Sequence, residues 1–557
     1  MSFRSSFKVF KEVLMSNVII PRAESPEAVG VSSKCILDLI EDFKNSDIEM
    51  HSLMVIRHGK VAAECYNYPF SAERPHACYS ISKSITSTAI GFAVSEGILS
   101  LDTRLIDIFP EYKEKADENL KQLTIEHLVS MRSGKNTDIL KNKAKIDWID
   151  DYMKSPWYAK PGTDFRYVNE NIYMLSASLH RLTGMNMRDF LRPRLFEPLG
   201  IDYPFWETDQ NGIEAGGWGI YLKTEDIAKI MLCYAQGGKF EGKQIIPEEW
   251  TKVATMKHAD NSLGTSKDAS SGYGYCFWIC GTDTPAYRCE GMFSQFGIVF
   301  KDYDAVLVFT GAEPMTQKTL DCIWRHFPAA FDNAGKEGFV AENFSEAISN
   351  LVLDRPSAGD RSGMEKRLEG KVIKMRKKLL LNLVGYPMSV LPLAVTYMTT
   401  DKAGNIDNII FNFGDDVCQF SWSEGDERNK IPCGMDGKYR EGLMCLGGIK
   451  YKVLAAAKWK SDNELILDIR PVETIAKRRL FFTFKDKNKV VMTPASTPDV
   501  KNITNFIKDG AKDIFSNKFV VMLAQKIIDY LPAIVEPVHK GKVTNKTVED
   551  LHREAHS

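Results

Sequence analysis

Ser80 and Lys83 are the residues of this chain whose types and spacing best suit nucleophilic chemistry. They belong to the tetrapeptide Ser80-Ile81-Ser82-Lys83, which opens a run that reaches Gly97. Because positions i and i+3 lie on one face of a helix, the Lys83 amine is expected beside the Ser80 hydroxyl. A serine hydroxyl is a poor nucleophile until a neighbouring group accepts its proton. The spacing therefore predicts a serine nucleophile with an amine within reach.

The four-residue pattern alone has a second interpretation, since Ser80 could simply cap a helix. The pattern also occurs at Ser5-Ser6-Phe7-Lys8, in a polar stretch of the chain. Ser80 differs from Ser5 because it precedes an apolar face at helical spacing, which consists of Ile81, Ile85, Ala89, Phe92 and Ala93. In the first turn of that helix, free backbone N–H groups and the positive dipole end would favour a developing oxyanion.

Tyr167-Val168-Asn169 is the second candidate, and it is the single Tyr-x-Asn triplet of the sequence. A tyrosine near a lysine ammonium is expected to have a stabilised phenolate, with its pKa lowered toward the range of a general base. Asn169 would offer its amide oxygen to Lys83 and its amide N–H groups to a substrate carbonyl. Taken alone, the triplet is equally compatible with a tyrosine that closes a loop.

Together, the two stretches resemble the serine β-lactamase and penicillin-binding-protein superfamily, in particular its class C β-lactamase-like esterases, amidases and D-amino-acid peptidases. The likeness covers about residues 25–330 in family order. Further matching stretches are Glu96–Asp102, Leu123–Leu128, Pro161–Thr183, Pro198–Gly200 and Gly216–Gly219. The resemblance implies an α+β fold (α/β sandwich), with an antiparallel sheet flanked by helices. It also implies an acyl-enzyme on Ser80, with Lys83 and Tyr167 as the base.

The third motif of that superfamily is altered in this chain. The superfamily places Lys-Thr-Gly or His-x-Gly on a core strand, and the matching stretch here is Cys289-Glu290-Gly291. The resemblance implies an oxyanion hole made by the backbone N–H groups of Ser80 and Met292, which needs only a backbone. Glu290 and Gly291 would then line the substrate site, and Glu290 would place a negative charge where the carboxylate of a penicillin lies.

The altered motif argues against a dedicated β-lactamase and favours a small, neutral ester or amide as the substrate. Arg288 would offset the charge of Glu290 if both point to one face of the strand. Gln295 is expected to contact the acyl portion of the substrate. Two other interpretations stay open: a β-lactamase or D-Ala peptidase, and a binding protein that keeps the fold with little turnover. None of these activities requires a metal ion or an organic cofactor.

Composition argues against several classes of partner. The chain has 72 Lys and Arg against 73 Asp and Glu, a net charge of −1, so neither nucleic acid nor a membrane surface is expected as a partner.

The 11 cysteines of the chain are odd in number and scattered, which indicates reduced thiols and a cytoplasmic protein. Cys276 and Cys280 are four residues apart and would face the same side of a sheet, but no zinc or redox role is predicted for them. The sequence does not determine the oligomeric state.

Two segments have features of membrane or export signals. Charged residues interrupt Met1–Ile20, so no secretion signal is expected there. The apolar run Leu379–Tyr397 is almost long enough to span a bilayer, but it contains Pro387 and Pro392. Because two prolines break a helix, the run is predicted to be a buried segment between domains.

A chain of 557 residues exceeds what one core usually supports, so two domains are predicted. The expected segments are an N-terminal tail (1–24), a hydrolase domain (25–332), a linker (333–378), an antiparallel β domain (379–500) and a C-terminal helix and polar tail (501–557). In the hydrolase domain, strand signals at both ends frame a helical middle. The predicted strands are a hairpin at His51–Glu64 and the segments Tyr273–Ile279, Ser294–Phe300 and Ala305–Thr310. The β domain is predicted to be a sandwich or partial barrel, followed by a helix at Phe519–Tyr530 and a polar tail from Lys540.

Overall fold

The computed structural model describes residues 18–137, 146–264, 266–353, 356–377, 405–446, 448–486, 488–499, 536–547 and 549–550. Several predictions lie outside these residues. They concern the first 17 residues with the pattern at Ser5, the apolar run Leu379–Tyr397 and the helix at Phe519–Tyr530.

Helices make up most of the middle of the first domain. They are α1 (Ser33–Asn45), α2 (Ile81–Ser95), α3 (Leu105–Ile108), α4 (Glu118–Gln122), α5 (Ile125–Val129), α6 (Trp148–Lys154), α7 (Asn169–Thr183), α8 (Met187–Leu191), α9 (Thr224–Ala235), α10 (Glu248–Ala254), α11 (Thr316–His326), α12 (Ala329–Asp332), α13 (Phe344–Ser349) and α14 (Met364–Leu368). None of the helices in the described ranges has both the length and the apolar composition needed to cross a membrane.

Strands lie at both ends of the first domain and fill the second. They are β1 (Met50–Arg57), β2 (Lys60–Tyr66), β3 (His76–Ala77), β4 (Tyr221–Leu222), β5 (Lys239–Phe240), β6 (Lys243–Gln244), β7 (Trp278–Ile279), β8 (Ala286–Gly291), β9 (Gln295–Phe300), β10 (Ala305–Gly311), β11 (Lys371–Met375), β12 (Ile406–Phe413), β13 (Val417–Glu424), β14 (Glu427–Gly434), β15 (Arg440–Leu446), β16 (Ile449–Ser461), β17 (Glu464–Pro471), β18 (Lys477–Phe484), β19 (Lys489–Thr497) and β20 (His539–Thr547).

The first domain is an antiparallel sheet between two layers of helices. Its six strands lie in the order β2-β1-β10-β9-β8-β7, so the sheet is built from both ends of the domain as predicted. Successive residues of β1 alternate between two cores, because side chains of a strand point to opposite faces. Met54 and Ile56 pack with α2, α7 and α9, whereas Leu53 and Val55 pack with α1 and α11.

The predicted elements of this domain differ from the structure mainly in their extents. The hairpin expected at His51–Glu64 is β1 and β2, and the strands expected between Ser294 and Thr310 are β9 and β10. The strand expected at Tyr273–Ile279 shrinks to β7. The chain turns tightly just before β7, since Cys276 has a φ of 65° and Tyr273 forms an isolated bridge with Trp278.

The second domain is a β barrel of ten strands in the order β14-β13-β12-β11-β20-β19-β18-β17-β16-β15. A parallel pairing of Gly434 with Ala456 joins β14 to β16 and closes the sheet. Alternate residues of β13 are buried, which is the pattern of a strand with one face toward a core. Phe420 and Trp422 of that strand contribute to a single apolar core inside the barrel.

The predicted segment boundaries do not match the barrel. Strand β11 lies within the expected linker 333–378, and β20 lies within the expected polar tail. Both strands are rich in lysine and other polar residues, a composition that favours solvent-exposed chain without regular structure. Antiparallel pairing between β11 and β20 nevertheless makes both of them strands of the barrel. The linker is also interrupted by α13, whose Phe344 packs into the core of the first domain.

Candidate active site

Helix α2 carries Ser80 and Lys83 into the first domain. Its residues from Ile81 to Ala93 are all buried. Other parts of the protein therefore surround the helix, whereas a surface helix buries only one apolar face. Its hydroxyl groups are satisfied by neighbouring backbone: Thr86 Oγ1 donates to Gly216 O at 2.9 Å, and Ser84 Oγ donates to Cys276 O at 2.7 Å. Ser80 occupies the cap position and remains partly exposed.

The amine of Lys83 lies at the centre of the site. The residue is 1% exposed and its amine makes three hydrogen bonds. Its partners are Ser80 Oγ at 2.8 Å, Asn169 Oδ1 at 2.8 Å and Gly217 O at 2.6 Å. Amide and carbonyl oxygens can only accept, so two amine hydrogens are committed to Asn169 and Gly217. When the amine is neutral, its lone pair faces Ser80, the one partner with a proton to give.

The surroundings of Lys83 favour that neutral form. Burial lowers the pKa of Lys83 from 10.5 to about 7, against smaller upward effects of Cys276 and Glu170. Burial also raises the pKa of the Cys276 thiol to about 12, so it carries no charge near neutral pH. With a pKa of about 7, roughly half of the Lys83 amine is unprotonated at neutral pH, where a catalytic base is most effective.

Tyr167 lies beside this pair, as predicted, but with a different ionisation. Lys83 Nζ is 4.7 Å from the centroid of its ring, which stacks on Trp278 at 5.5 Å. Burial raises the pKa of Tyr167 above its ordinary value, although a side-chain hydrogen bond with Ser80 acts in the opposite direction. The expected lowering of this pKa is therefore wrong. A lysine that is itself close to neutral gives a phenolate little charge to pair with.

Asn169 is the first residue of α7, and its side chain reaches Lys83 as predicted. The approach depends on Gly217, because a Cβ there would lie 2.7 Å from the Asn169 carbonyl oxygen. Gly217 belongs to the matching stretch Gly216–Gly219, but the sequence does not predict that its carbonyl binds Lys83. A backbone acceptor leaves no residue-type signal, so sequence reasoning could not have found it.

Gly291 brings the end of β8 against the segment that precedes Ser80. A Cβ at Gly291 would lie 2.2 Å from the carbonyl oxygen of Cys78, so only glycine permits this approach. Met292 follows in the turn between β8 and β9 and is 42% exposed. In the described part of the chain, neither the Ser80 nor the Met292 backbone N–H donates to a carbonyl of a loop or turn. Both N–H groups therefore stay candidates for the predicted oxyanion hole.

Two residues beside those N–H groups have left-handed backbones. Tyr79, just before Ser80, has a φ of 47°, and Phe293, just after Met292, has a φ of 65°. Such conformations cost about 1–3 kcal/mol for a residue with a bulky side chain, and they persist where the surrounding packing enforces them.

Glu290 does not present a free carboxylate to the site. Arg288 Nε donates to Glu290 Oε2 at 2.6 Å, so the two side chains share a face of β8, as the strand alternation predicts when no bulge intervenes. Arg288 is also 3.8 Å from the buried carboxylate of Asp268. The three side chains form a charge cluster with one more carboxylate than cation, in which Arg288 and Asp268 are buried and Glu290 is partly exposed.

Gln295 does not lie where the sequence placed it. The residue is fully buried, and its amide nitrogen donates to the carbonyl oxygens of Gly311 at 2.8 Å and Phe293 at 2.9 Å. Its amide oxygen accepts from Gly311 N at 3.3 Å. Gln295 therefore holds the turn after β8 in place. The expected contact with the acyl portion of the substrate is wrong, because the side-chain amide is buried and bonded to the backbone of Phe293 and Gly311.

An aromatic wall beside Tyr167 was not predicted. Tyr273 lies edge-on to Trp278, with the ring centroids 4.8 Å apart, and Phe165 packs on both rings. Phe165 and Tyr167 lie in one stretch of the chain, and Tyr273 and Trp278 lie in another. The residue pattern of these stretches does not indicate which side chains face the site. Within the described residues, no group of three or more His, Cys, Asp and Glu side chains is arranged to hold a metal ion.

The comparisons with known proteins agree with this geometry. A family model described as Beta-lactamase matches residues 38–318, slightly more than half of the 557 residues. The chain belongs to the Beta-lactamase family. Its members are serine hydrolases, which makes this protein a serine hydrolase with the β-lactamase fold and an added C-terminal barrel.

Individual relatives of this β-lactamase-family hydrolase are distant. The 6-aminohexanoate-dimer hydrolase of Paenarthrobacter ureafaciens is 21% identical over 298 residues, which cover 47% of this chain and 72% of that protein. Penicillin-binding protein 4 of Amycolatopsis lactamdurans is 31% identical over 127 residues, covering 22% of this chain and 33% of that protein. A solved penicillin-binding-protein homologue from Caulobacter crescentus has 16% identity and a TM-score of 0.44, covering 54% of this chain and 99% of that one.

Proposed function

We propose that this protein cleaves a small ester or amide through a covalent acyl-enzyme on Ser80. The hydrogen bonding of Lys83 is the observation that carries the proposal. Two of its three partners can only accept, so the neutral amine directs its lone pair to the Ser80 hydroxyl.

In the acylation step, Lys83 takes the Ser80 proton while Ser80 Oγ bonds to the substrate carbonyl carbon. The carbonyl oxygen becomes an oxyanion, which the backbone N–H groups of Ser80 and Met292 stabilise. The intermediate collapses as the bond to the alcohol or amine breaks. The proton on Lys83 passes to that leaving group through the neutral phenol of Tyr167. The Tyr167 side chain lies beside Lys83, 4.7 Å from Nζ to the ring centroid, and hydrogen-bonds with Ser80.

In the deacylation step, water attacks the acyl-serine carbonyl carbon and gives its proton to Lys83 by way of Tyr167. The bond to Ser80 Oγ then breaks, and Lys83 returns a proton to Ser80. We assign the base to Lys83 in both steps, because its pKa of about 7 suits the role and the raised pKa of Tyr167 does not.

The charge around β8 supports a substrate without a carboxylate beside the reacting carbonyl. Glu290 and Asp268 outnumber Arg288 in the cluster, so a penicillin carboxylate would meet no free cation there. The 6-aminohexanoate-dimer hydrolase named above is an amide hydrolase by its name, which places linear amides beside esters among the substrates to test.

Labelling with a fluorophosphonate probe tests the nucleophile. We expect covalent labelling at Ser80 by mass spectrometry and its loss in Ser80→Ala. Ser5→Ala is the matched control, since Ser5 begins the same four-residue pattern, and this variant should label like the natural sequence. Labelling that survives in Ser80→Ala would overturn the proposal, and a folded protein that neither labels nor turns over any substrate would favour the binding-protein interpretation.

A substrate panel separates hydrolase classes. Short-chain p-nitrophenyl esters and linear amides should be hydrolysed faster than a chromogenic cephalosporin or a D-Ala-D-Ala peptide. A pre-steady-state burst of the leaving group would reveal the acyl-enzyme. Faster hydrolysis of the cephalosporin would instead identify a β-lactamase.

A further inference from the structure

A loop of the barrel is buried against the active-site domain. Residues 472–476 connect β17 to β18, and Val472, Thr474, Ile475 and Ala476 are each at most 1% exposed. The loop is braced internally, because Thr474 Oγ1 donates to Pro471 O at 3.3 Å and accepts from Ala476 N at 3.1 Å. These internal hydrogen bonds fix the conformation in which the loop packs against the first domain.

The base of this loop is anchored by charge and by the backbone. Arg470, at the end of β17, forms an ion pair with Glu49 at 2.7 Å, and the arginine is 2% exposed. Ala77 N donates to Glu473 O at 2.9 Å. Ala77 also contributes to the apolar core of the barrel. The loop is thus joined to the segment that leads directly into Ser80.

The tip of the loop contacts both residues with left-handed backbones. Ile475 and Ala476 are fully buried in one apolar cluster with Phe293 and Ala312, and Tyr79 packs against it. The rings of Tyr79 and Phe293 meet edge to face, with centroids 5.3 Å apart. Tyr79 precedes the Ser80 N–H and Phe293 follows the Met292 N–H, so one cluster holds the neighbours of both oxyanion donors.

We infer that the 472–476 loop of the barrel positions the oxyanion hole, with Ile475 as a positioning residue that acts through Tyr79 and Phe293. The inference rests on the proposed function, since it concerns the same site. Strained backbone conformations relax when the packing that enforces them is removed. Without Ile475, the two aromatic residues would rotate toward ordinary φ values and carry the adjacent N–H groups away from their shared target.

Ile475→Ala tests the inference, with Ile431→Ala as the matched control. Ile431 is the same residue type and equally buried, but it lies in the barrel core on β14. We expect Ile475→Ala to lower kcat about 10- to 100-fold with KM nearly unchanged, because a displaced donor weakens binding of the transition state only. Affinity for a boronic acid, which forms a tetrahedral adduct on Ser80, should fall in parallel. Ile431→Ala should keep the original kcat below its melting temperature, and Ile475→Val should restore most of it.

Hydrogen exchange measured by mass spectrometry tests the packing without any substrate. Ile475→Ala should speed exchange in peptides covering residues 77–83 and 290–296, whereas Ile431→Ala should leave both unchanged. Unchanged exchange in these peptides, or equal loss of kcat in both alanine variants, would overturn the inference. A natural protein without Ser80 labelling or turnover would refute the proposed function instead, and the exchange result would then decide the positioning claim by itself.

Discussion

Protonation of Lys83 should control the rate at which Ser80 is acylated. With a pKa of about 7, the neutral fraction of the amine is about one half at pH 7, about one tenth at pH 6 and about one hundredth at pH 5. Since kcat/KM reports the ionisation of the free enzyme, it should fall about tenfold for each pH unit below 7 and level off above about pH 8. An ordinary lysine would place the same fall near pH 10.

The assay is kcat/KM for a p-nitrophenyl ester between pH 5 and pH 9, corrected for spontaneous hydrolysis. Lys83→Arg should lower kcat/KM by about 10²- to 10⁴-fold, because a guanidinium stays protonated and cannot act as a base. Lys135→Arg is the matched control, since Lys135 is also buried but its amine bonds the carbonyls of Met153 and Ser155 instead of Ser80. A profile that is flat between pH 5 and pH 8, or a Lys83→Arg variant with the original rate, would refute the reasoning.

Three further perturbations follow from the geometry. Lys83→Met tests stability: an unfolded Lys83 binds more protons than the buried one between about pH 7 and pH 10.5, so the unfolding free energy of the natural protein should rise with pH by up to about 5 kcal/mol relative to the variant. Urea titrations across that window measure this, and parallel curves would contradict it. Tyr167→Phe should lower kcat by about 10²- to 10⁴-fold through loss of the proton relay, yet keep the midpoint near pH 7 that Lys83 sets; a shifted midpoint would point to Tyr167 as the base. Gly291→Ala should lower kcat by about 100-fold, because the new Cβ would lie 2.2 Å from Cys78 O and push β8 away from Ser80. Gly363→Ala, where a Cβ meets nothing within 4 Å, is the control.

Local sequence rules were sufficient where the chemistry is carried by residues close together in the chain. Helical spacing alone placed Lys83 beside Ser80, and the hydrogen bond between them confirms that contact. The alternation of β8 placed Arg288 and Glu290 on one face, which is also confirmed. The resemblance supplied the partner from a distant stretch, and Asn169 does reach Lys83. Their catalytic roles stay predictions.

The sequence was a poor guide where burial decides the outcome. The pKa of Tyr167 depends on whether Lys83 is charged, and that depends on how completely the fold buries it. Gln295 looked like a polar residue near the site, but nothing in the sequence indicated that the carbonyls of the adjacent turn would use its amide. The two lysine-rich barrel strands, β11 and β20, were missed because long-range pairing outweighs their composition.

The pairing of β11 with β20 also bears on when the barrel can be completed during synthesis. β11 is the first strand of the barrel in chain order, yet one of its two neighbours is the last strand described, with Lys371 opposite Thr547. During synthesis from the N-terminus, β11 waits for most of the barrel sequence before its second edge is covered. The ring of strands closes only then. Completion of the barrel therefore comes only after the whole hydrolase domain has been synthesised.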